Sequence, residues 1–278
     1  MNKIYATGDT HGTFKRIETF CKDYNTTCND VLIILGDVGF NYFNGPIEKE
    51  KKEYCSKLPI TLFCIQGNHE ERPYNISSYQ TKIWNDGIVY FEPEYPNLIF
   101  AKDGEIYTFN DKKVLVIGGA YSVDKWIRIL SAYLEYGFLF TKISDSDLQN
   151  ALRFIKGDGE YDKIKAKKTL NTIYKNLPKG TCFWFPDEQP NKEIKNYVKS
   201  QIMSNEIDIV LSHTCPSKFI PTDCFLSSIN QDTVDNSTEK WLNTIEKSIN
   251  YEKWLCGHWH TNKTIGKTTF LFEEFIEL

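Results

Sequence analysis

The residues of this chain best suited to metal chemistry are its histidines, and all five lie in short motifs. These motifs are Gly8-Asp9-Thr10-His11-Gly12, Gly67-Asn68-His69-Glu70, Ser212-His213 and Gly257-His258-Trp259-His260, and Gly36-Asp37 adds a carboxylate between the first two. Neutral imidazole is the commonest protein ligand for transition metals. Histidines placed in this way, beside carboxylates and an amide, indicate one metal site.

The residue types fit a pair of ions rather than one. Two divalent ions about 3.5–4 Å apart activate water and stabilise the attacking and leaving oxygens of a displacement at phosphorus. Asp37 could bridge such ions, and Asn68 could offer its amide oxygen. The remaining ligand positions are filled by Asp9, His11, His213, His258 and His260. A purely structural network of buried histidines and carboxylates is the alternative, and it would need strong compensation for its burial.

Each motif follows a short apolar run that is typical of a buried strand. The runs cover residues 3–7, 31–35, 60–65, 207–211 and 253–256, and residues 268–276 form a further strand-like segment. Ligands of α/β folds bind beyond the carboxyl ends of strands, so the motifs are predicted to meet at one edge. In Asp9-x-His11 and His258-x-His260, alternation along a strand end would direct two side chains to the same side.

The ordered motifs resemble those of the calcineurin-like metallophosphoesterases over residues 9–260. Residues 118–125, 184–190 and 212–216 are in addition similar to a bacterial and phage subgroup of small metallophosphatases. The resemblance implies an α/β fold, a sandwich of two mixed β-sheets flanked by helices, formed as a single domain by residues 1–278.

The resemblance also implies roles for the site residues. Hydrolysis of a phosphoric ester would proceed by attack of a hydroxide that bridges two metal ions. One ion would be held by Asp9, His11, Asp37 and His260, and the other by Asp37, Asn68, His213 and His258. His69 would act as the general acid for the leaving oxygen or bind a phosphoryl oxygen. These ligands suit Mn²⁺, which we expect, or Fe, Zn²⁺ or Ni²⁺, and they disfavour Ca²⁺.

The second motif departs from the phosphoprotein phosphatase branch, which continues into Asp-Arg-Gly. Here Gly36-Asp37 is followed by Val-Gly-Phe-Asn, so the phosphate-gripping arginine of that branch is absent. Arg72, Lys125 and Arg128 are candidate replacements because cationic donors suit phosphate oxygens, with solvated surface positions as the alternative. The departure weakens an assignment to protein dephosphorylation. A phosphorylated small molecule or nucleotide, either a monoester or a diester, is the expected substrate, and a cap over the site would favour it over a folded protein.

Residues 131–179 differ from the rest of the chain and are rich in lysine and aspartate. Two helix-like runs, 146–155 and 161–177, flank Gly157-Asp158-Gly159, which predicts a helical insertion within the domain. The insertion could cover the site as a cap, or it could be a surface addition away from the site.

Bulk composition narrows the class of protein. The net charge of −4 provides no global reason to bind nucleic acid or an anionic membrane. With no apolar run of membrane-spanning length and no signal region, a cytoplasmic protein is expected. The eight cysteines are scattered without a C-x-x-C pair, which predicts reduced thiols.

Two further functions stay open beside phosphoester hydrolysis of small molecules. A nuclease or cyclic-nucleotide phosphodiesterase would need a local basic track and would be inhibited by salt. A non-catalytic, metal-stabilised scaffold for phosphorylated partners would bind metal without turnover, but it has little need for His69.

Overall fold

The apolar runs that precede the motifs are strands in the computed structural model, which describes residues 2–278. The strands are β1 (Ile4–Thr7), β2 (Val31–Ile34), β3 (Thr61–Cys64), β4 (Gln80–Trp84), β5 (Gly87–Phe91), β6 (Leu98–Ala101), β7 (Ile106–Phe109), β8 (Lys112–Ile117), β9 (Ile209–Ser212), β10 (Lys253–Cys256), β11 (Lys263–Ile265), β12 (Thr268–Phe270) and β13 (Ile276–Glu277). Their β-branched and aromatic residues suit pleated, buried surfaces.

The strands form two mixed sheets. The seven-stranded sheet has the order β13-β1-β2-β3-β6-β5-β4, and its centre, from β1 to β6, is parallel. The six-stranded sheet has the order β11-β12-β10-β9-β8-β7, with a parallel centre from β12 to β8 and antiparallel edges. Parallel central strands direct their carboxyl ends to a single edge of each sheet, which is where ligand sites form in such folds.

Some of the helices pack on the outer faces of the two sheets. The helices are α1 (Lys15–Tyr24), α2 (Pro46–Cys55), α3 (Lys125–Glu135), α4 (Asp145–Lys156), α5 (Lys163–Asn176), α6 (Lys192–Ser204) and α7 (Ser237–Glu246), with short 3₁₀ helices at Pro73–Asn75, Gly137–Leu139, Ser217–Phe219, Thr222–Cys224 and Gln231–Thr233. Ile17 and Phe20 of α1 pack on the first sheet, whereas Leu242 and Ile245 of α7 pack on the second. No helix within residues 2–278 is long and apolar enough to cross a membrane.

A continuous apolar core lies between the two sheets. It joins residues of the first sheet, such as Ile33 and Phe63, to residues of the second, such as Val116, Leu211 and Leu255, and all five are buried. Burial of apolar surface, which contributes about 25 cal/mol per Å², holds the two sheets together. The α/β fold with two mixed sheets flanked by helices, predicted from the sequence, is therefore confirmed.

The chain divides into two compact units. The first unit, which contains both sheets, comprises the chain up to Ala120, Phe185–Pro221 and Ser237–Leu278, and the second comprises Tyr121–Trp184 and Thr222–Asn236. The second unit has its own core around Phe154 and Leu170. Its α4 and α5 correspond to the helix-like runs of the predicted insertion, and the unit extends beyond residues 131–179 on both sides. The role of this segment as a cap stays a prediction.

Candidate metal centre

The motifs follow the carboxyl ends of parallel strands in the first unit. Asp9, Asp37 and Asn68 follow β1, β2 and β3 of the seven-stranded sheet, whereas His213 and His258 follow β9 and β10 of the six-stranded sheet. Side chains from the two sheets thereby approach one another at a shared edge.

The main chain at the site has left-handed conformations in residues other than glycine. The φ angles are 45° at His11, 45° at Asp37, 65° at His258 and 46° at His260. A left-handed residue with a β-carbon costs about 1–2 kcal/mol and is retained where surrounding contacts enforce it. Such residues cluster at functional sites, because the conformation aims a side chain that a regular strand would direct elsewhere.

Two glycines permit the close approach of the motifs. A β-carbon at Gly36 would lie 2.0 Å from Nδ1 of His213, and one at Gly67 would lie 2.0 Å from Oδ1 of Asp37. Both distances are far inside van der Waals contact. Any larger residue at either position would therefore separate the motifs that carry the ligands.

The first group of candidate ligands contains Asp9, His11 and His260. The Nε2 atoms of the two histidines lie 3.0 Å apart and are 3.8 Å and 3.3 Å from Oδ2 of the buried Asp9. The other carboxylate oxygen, Oδ1, accepts a hydrogen bond of 3.0 Å from the backbone N–H of His258. One oxygen of Asp9 is thus fixed by the main chain, while the other faces two imidazoles.

The second group contains Asp9, Asp37 and His213. Nε2 of His213 lies 3.6 Å from Oδ2 of Asp37 and 2.8 Å from the amide oxygen of Asn68, while Nδ1 lies 2.8 Å from the carbonyl of Leu35. Because a carbonyl only accepts, Nδ1 carries a proton, and neutral His213 would turn its Nε2 lone pair toward two further acceptors. A cation among these atoms removes that repulsion, so the residues fit a metal ion.

The pKa shifts of Asp37 and His213 also indicate that this group of side chains favours a positive charge among them. Burial raises the pKa of Asp37, but the charge and hydrogen bond of His213, together with the charges of His69 and His11, outweigh burial and hold the pKa of that carboxyl well below its usual range. Burial lowers the pKa of His213, but the charge and hydrogen bond of Asp37, together with the charge of Asp9 and the bond to Leu35, outweigh burial and raise the pKa to about 9. A proton on Nε2 of His213 therefore occupies the position that a metal ion would take, as expected for ligands that exchange protons for metal.

His258 has the opposite shift. Burial, with the charge of His213 adding to it, lowers the pKa of His258 to about 3. Its ring centroid is 5.0 Å from that of His213. The imidazole is consequently neutral at ordinary pH and able to act as a ligand beside its protonated neighbour.

His69 lies at the solvent side of the carboxylates. Its backbone N–H donates to Oδ1 of Asp37 over 2.9 Å, its Nε2 is 4.0 Å from Oδ2 of Asp37, and its side chain is 25% exposed. The ring centroid lies 6.0 Å from that of His11. This partial exposure leaves the imidazole accessible to an incoming ester, as a general acid requires.

Arg72 is buried rather than solvated. Its guanidinium forms an ion pair with Asp103, and its Nε donates to the carbonyl of Asp187 over 2.7 Å. Its positive charge is therefore already matched by a carboxylate. A contact between Arg72 and substrate phosphate stays a prediction.

Lys125 and Arg128 belong to the second unit and have local partners there. Nζ of Lys125 lies 4.0 Å from the ring centroid of Trp184. Nε of Arg128 donates to Asp124 over 2.7 Å, and Nη1 donates to the carbonyl of Phe183 over 2.8 Å. Substrate binding by these two residues also stays a prediction.

Arg16 supports the site and was not singled out from the sequence. Its guanidinium donates to the carbonyls of Gly8, Asp9 and Phe272 and to the hydroxyl of Thr7, over 2.8–3.0 Å. These bonds tie the loop that carries Asp9 to the C-terminal segment. The only sequence signal was its place next to Ile17 on the helix that follows the first motif.

Glu70 is a second supporting residue, named in a motif but given no role from the sequence. The buried side chain accepts hydrogen bonds from the backbone N–H groups of Val38 (3.2 Å) and Gly67 (3.0 Å) through one oxygen, Oε1. Burial, together with the charge of Asp37, raises the pKa of Glu70 well above its usual range. Glu70 thereby joins the second and third motifs through a single carboxyl oxygen.

Comparison with known proteins agrees with this geometry. The family model for calcineurin-like phosphoesterases matches residues 2–262, so the chain belongs to that family. Members of the family act on phosphoester bonds, and the aspartate and histidine groups described above are the candidate metal ligands of this one.

Two individual proteins illustrate how far the similarity extends. The chain is 28% identical over 260 residues to the uncharacterized protein L509 of Acanthamoeba polyphaga mimivirus, covering 87% of this chain and 77% of that protein. The crystal structure of TT1561 of Thermus thermophilus aligns with 99% of this chain and 97% of its own, at 12% identity and a TM-score of 0.39. Because this TM-score is low, the fold is assigned from the two mixed sheets described above and not from that structure.

Proposed function

We propose that the protein hydrolyses a phosphoric ester and uses two divalent transition-metal ions to do so. Mn²⁺ is the expected metal, and Fe, Zn²⁺ or Ni²⁺ are the alternatives. The observation that supports two ions is the presence of two adjacent ligand groups that share a carboxylate, with the ligand atoms of each group within 4.8 Å of one another. In these groups the shared residue is Asp9, whereas family resemblance assigns the bridging position to Asp37. Asn68 and His258 complete the proposed ligand set.

The chain's own residues have distinct tasks in this proposal. When bound, the ions supply Lewis acidity and lower the pKa of water. Asp37 and Asp9 balance their charge, and the carbonyl of Leu35 orients the ring of His213 by accepting from Nδ1. His69 donates a proton to the leaving oxygen, and Asp37 holds the main chain of His69 in place. The substrate is a phosphorylated small molecule or nucleotide.

Hydrolysis of p-nitrophenyl phosphate and bis-p-nitrophenyl phosphate tests this proposal. Protein stripped of metal should be inactive and should regain turnover of one ester when Mn²⁺ is added. Loss of a bridging ligand should remove both ions, so Asp37→Asn should bind none and lose activity by about 10²-fold or more. Asp9→Asn should retain one ion, and Asp145→Asn, in the first turn of α4, is the matched control.

His69→Gln separates catalysis from metal binding. It should retain both ions and lose about 10²-fold in rate on an alkyl phosphate, with a smaller loss on the p-nitrophenyl esters, whose leaving group needs no proton. Two bound ions with no turnover of either ester would contradict the proposal and favour a non-catalytic scaffold. Full activity of Asp37→Asn would contradict the assigned site.

A further inference from the structure

Two hydrogen bonds in series join the turn that carries His258 and His260 to the first turn of α7. The indole Nε1–H of Trp259 donates to Oγ1 of Thr214 over 3.2 Å, and that hydroxyl donates to Oε1 of Glu239 over 2.8 Å. Thr214 and Glu239 are buried, although neither belongs to a candidate ligand group. Because a buried carboxyl group is costly unless it is hydrogen-bonded, a task for Glu239 beside the site is expected.

The chemistry of the two ends fixes the direction of these bonds. An indole N–H can only donate, so the hydroxyl oxygen of Thr214 accepts from Trp259 and the single hydroxyl proton goes to Glu239. The acceptor at Glu239 therefore sets the rotation of the hydroxyl group and keeps a lone pair directed at Trp259. Glu239 lies in the first turn of α7, which packs on the six-stranded sheet, so the series ends on a rigid element.

The bond of Trp259 gives the turn a second attachment to the strand end that carries His213. The first attachment is main chain, because the N–H of Gly257 donates to the carbonyl of His213 over 3.0 Å. His258 lies between these two attachments and has a left-handed φ of 65°. A turn held at a single point can rotate about it, whereas two points fix the side chain between them. His258 is thereby fixed relative to His213, whose ring centroid is 5.0 Å away.

We propose that Thr214 and Glu239 are positioning residues of the metal centre and act on His258 through Trp259. This inference rests on the metal binding of the proposed function but not on hydrolysis. In the proposed ligand set His213 and His258 hold the same ion, so loss of these hydrogen bonds should weaken that ion and leave the other nearly unaffected. A role in folding alone would lower stability without a preference for one ion.

Titration of metal-stripped protein with Mn²⁺, followed by calorimetry and electron paramagnetic resonance, tests the inference. Thr214→Val keeps the shape of the side chain without the hydroxyl and should weaken binding of one ion about 10–100-fold. The spectrum of a magnetically coupled pair of ions should then be replaced by that of isolated Mn²⁺. Thr214→Ser retains the hydroxyl and should bind both ions as wild type does.

Thr268→Val is the matched control. Thr268 is a buried threonine of β12 in the six-stranded sheet, and its hydroxyl has no hydrogen-bond partner within residues 2–278. This variant should bind both ions as wild type does. Trp259→Phe removes the first hydrogen bond and leaves the bond between Thr214 and Glu239, so it should reproduce the loss even if Thr214→Val does not fold.

Double variants identify the ion that is affected. Added to His260→Ala, Thr214→Val should still cause its full loss of affinity. Added to His258→Ala, it should cause no further loss, because the hydrogen bonds act through that ligand. Glu239→Gln retains an acceptor for the hydroxyl and should be close to wild type, whereas Glu239→Leu should resemble Thr214→Val.

Two outcomes would overturn the inference while the wild type binds two ions. The first is equal affinity for both ions in Thr214→Val and Thr268→Val. The second is an equal weakening of both ions together with a fall in thermal stability. A wild type that binds two ions but hydrolyses no ester would contradict the proposed hydrolysis, and selective loss of one ion in Thr214→Val would still support the inference. A wild type that binds no ion would overturn both.

Discussion

The imidazole of His260 lies flat against the phenyl ring of Phe272, with ring centroids 4.6 Å apart and planes at 19°. His260 is exposed and has a left-handed backbone, so the stacked ring is a main restraint on the direction of its Nε2. Residues that orient ligands in this way commonly change metal affinity 10–100-fold when they are replaced. Phe272 is thus a positioning residue for the first ligand group.

Replacement of Phe272 should weaken metal binding without unfolding the protein. Phe272→Leu retains apolar volume but removes the flat face, so we expect about 10-fold weaker binding of one Mn²⁺ ion and little change at the other. Calorimetric titration of metal-stripped protein measures both steps. Phe138→Leu, at an exposed position of the second unit, is the control, and equal affinities in the two variants would refute the role.

Arg16 should control the geometry of Asp9 through its four hydrogen bonds. Arg16→Lys keeps the positive charge but cannot span the same four acceptors, so we expect about 10-fold weaker metal binding and a matching fall in activity at limiting Mn²⁺. Arg16→Met should be worse. Arg153→Met, at an exposed position of α4, should behave as wild type. A loss of thermal stability in Arg16→Lys without any loss of metal affinity would contradict this prediction.

Glu70 should tolerate glutamine but not alanine. The raised pKa favours the protonated carboxyl, and glutamine presents a similar neutral acceptor to Val38 and Gly67. We expect Glu70→Gln to change the free energy of unfolding by less than about 1 kcal/mol and Glu70→Ala to lower it by about 2–4 kcal/mol, because two buried N–H groups lose their acceptor. Urea unfolding of metal-stripped protein measures both values. Equal losses in the two variants would mean that the carboxyl is ionised.

Most thiols should be unreactive in the folded protein. Burial raises the pKa of six cysteines, which lowers their thiolate fraction at pH 8. Cys182 is half-buried, and the five buried ones, which also have steric protection, are Cys21, Cys55, Cys64, Cys215 and Cys256. In a reaction with Ellman's reagent, exposed Cys28 should react first, and the five should react only after denaturation. Cys28→Ser should remove the fast phase. Fewer than eight thiols after denaturation without reductant would contradict the prediction of reduced cysteines.

The strands could be predicted from the sequence because apolar runs are a local property of its composition. The edge at which the motifs meet could be predicted because ligands of α/β folds bind beyond the carboxyl ends of strands. The directions of the ligand side chains could not be predicted. Alternation along a strand end was expected for Asp9-x-His11, but β1 ends at Thr7 and His11 has a φ of 45°. The two side chains do reach one cluster, but they do so through a left-handed turn and not through alternation along a strand, because residue type alone does not specify a left-handed backbone outside glycine.

The long-range pairing of the C-terminal strands could likewise not be predicted from the sequence. Residues 268–276 were expected to form one strand, but they contribute β12 to the six-stranded sheet and the start of β13 to the seven-stranded sheet. An apolar, β-prone segment satisfies either sheet, so the crossing between them is decided by tertiary contacts. Arg16 was overlooked for a related reason, since its acceptors are carbonyls that no sequence pattern marks.

The division of the ligands between two sheets has a consequence for the order of events during folding. A chain that has formed only the seven-stranded sheet possesses Asp9, Asp37 and Asn68 but lacks His213 and His258. With the proposed ligand set it would hold only part of the metal site, and high affinity is expected only when the second sheet docks. Metal uptake during refolding should then report that docking step, and free metal in solution should favour it by mass action.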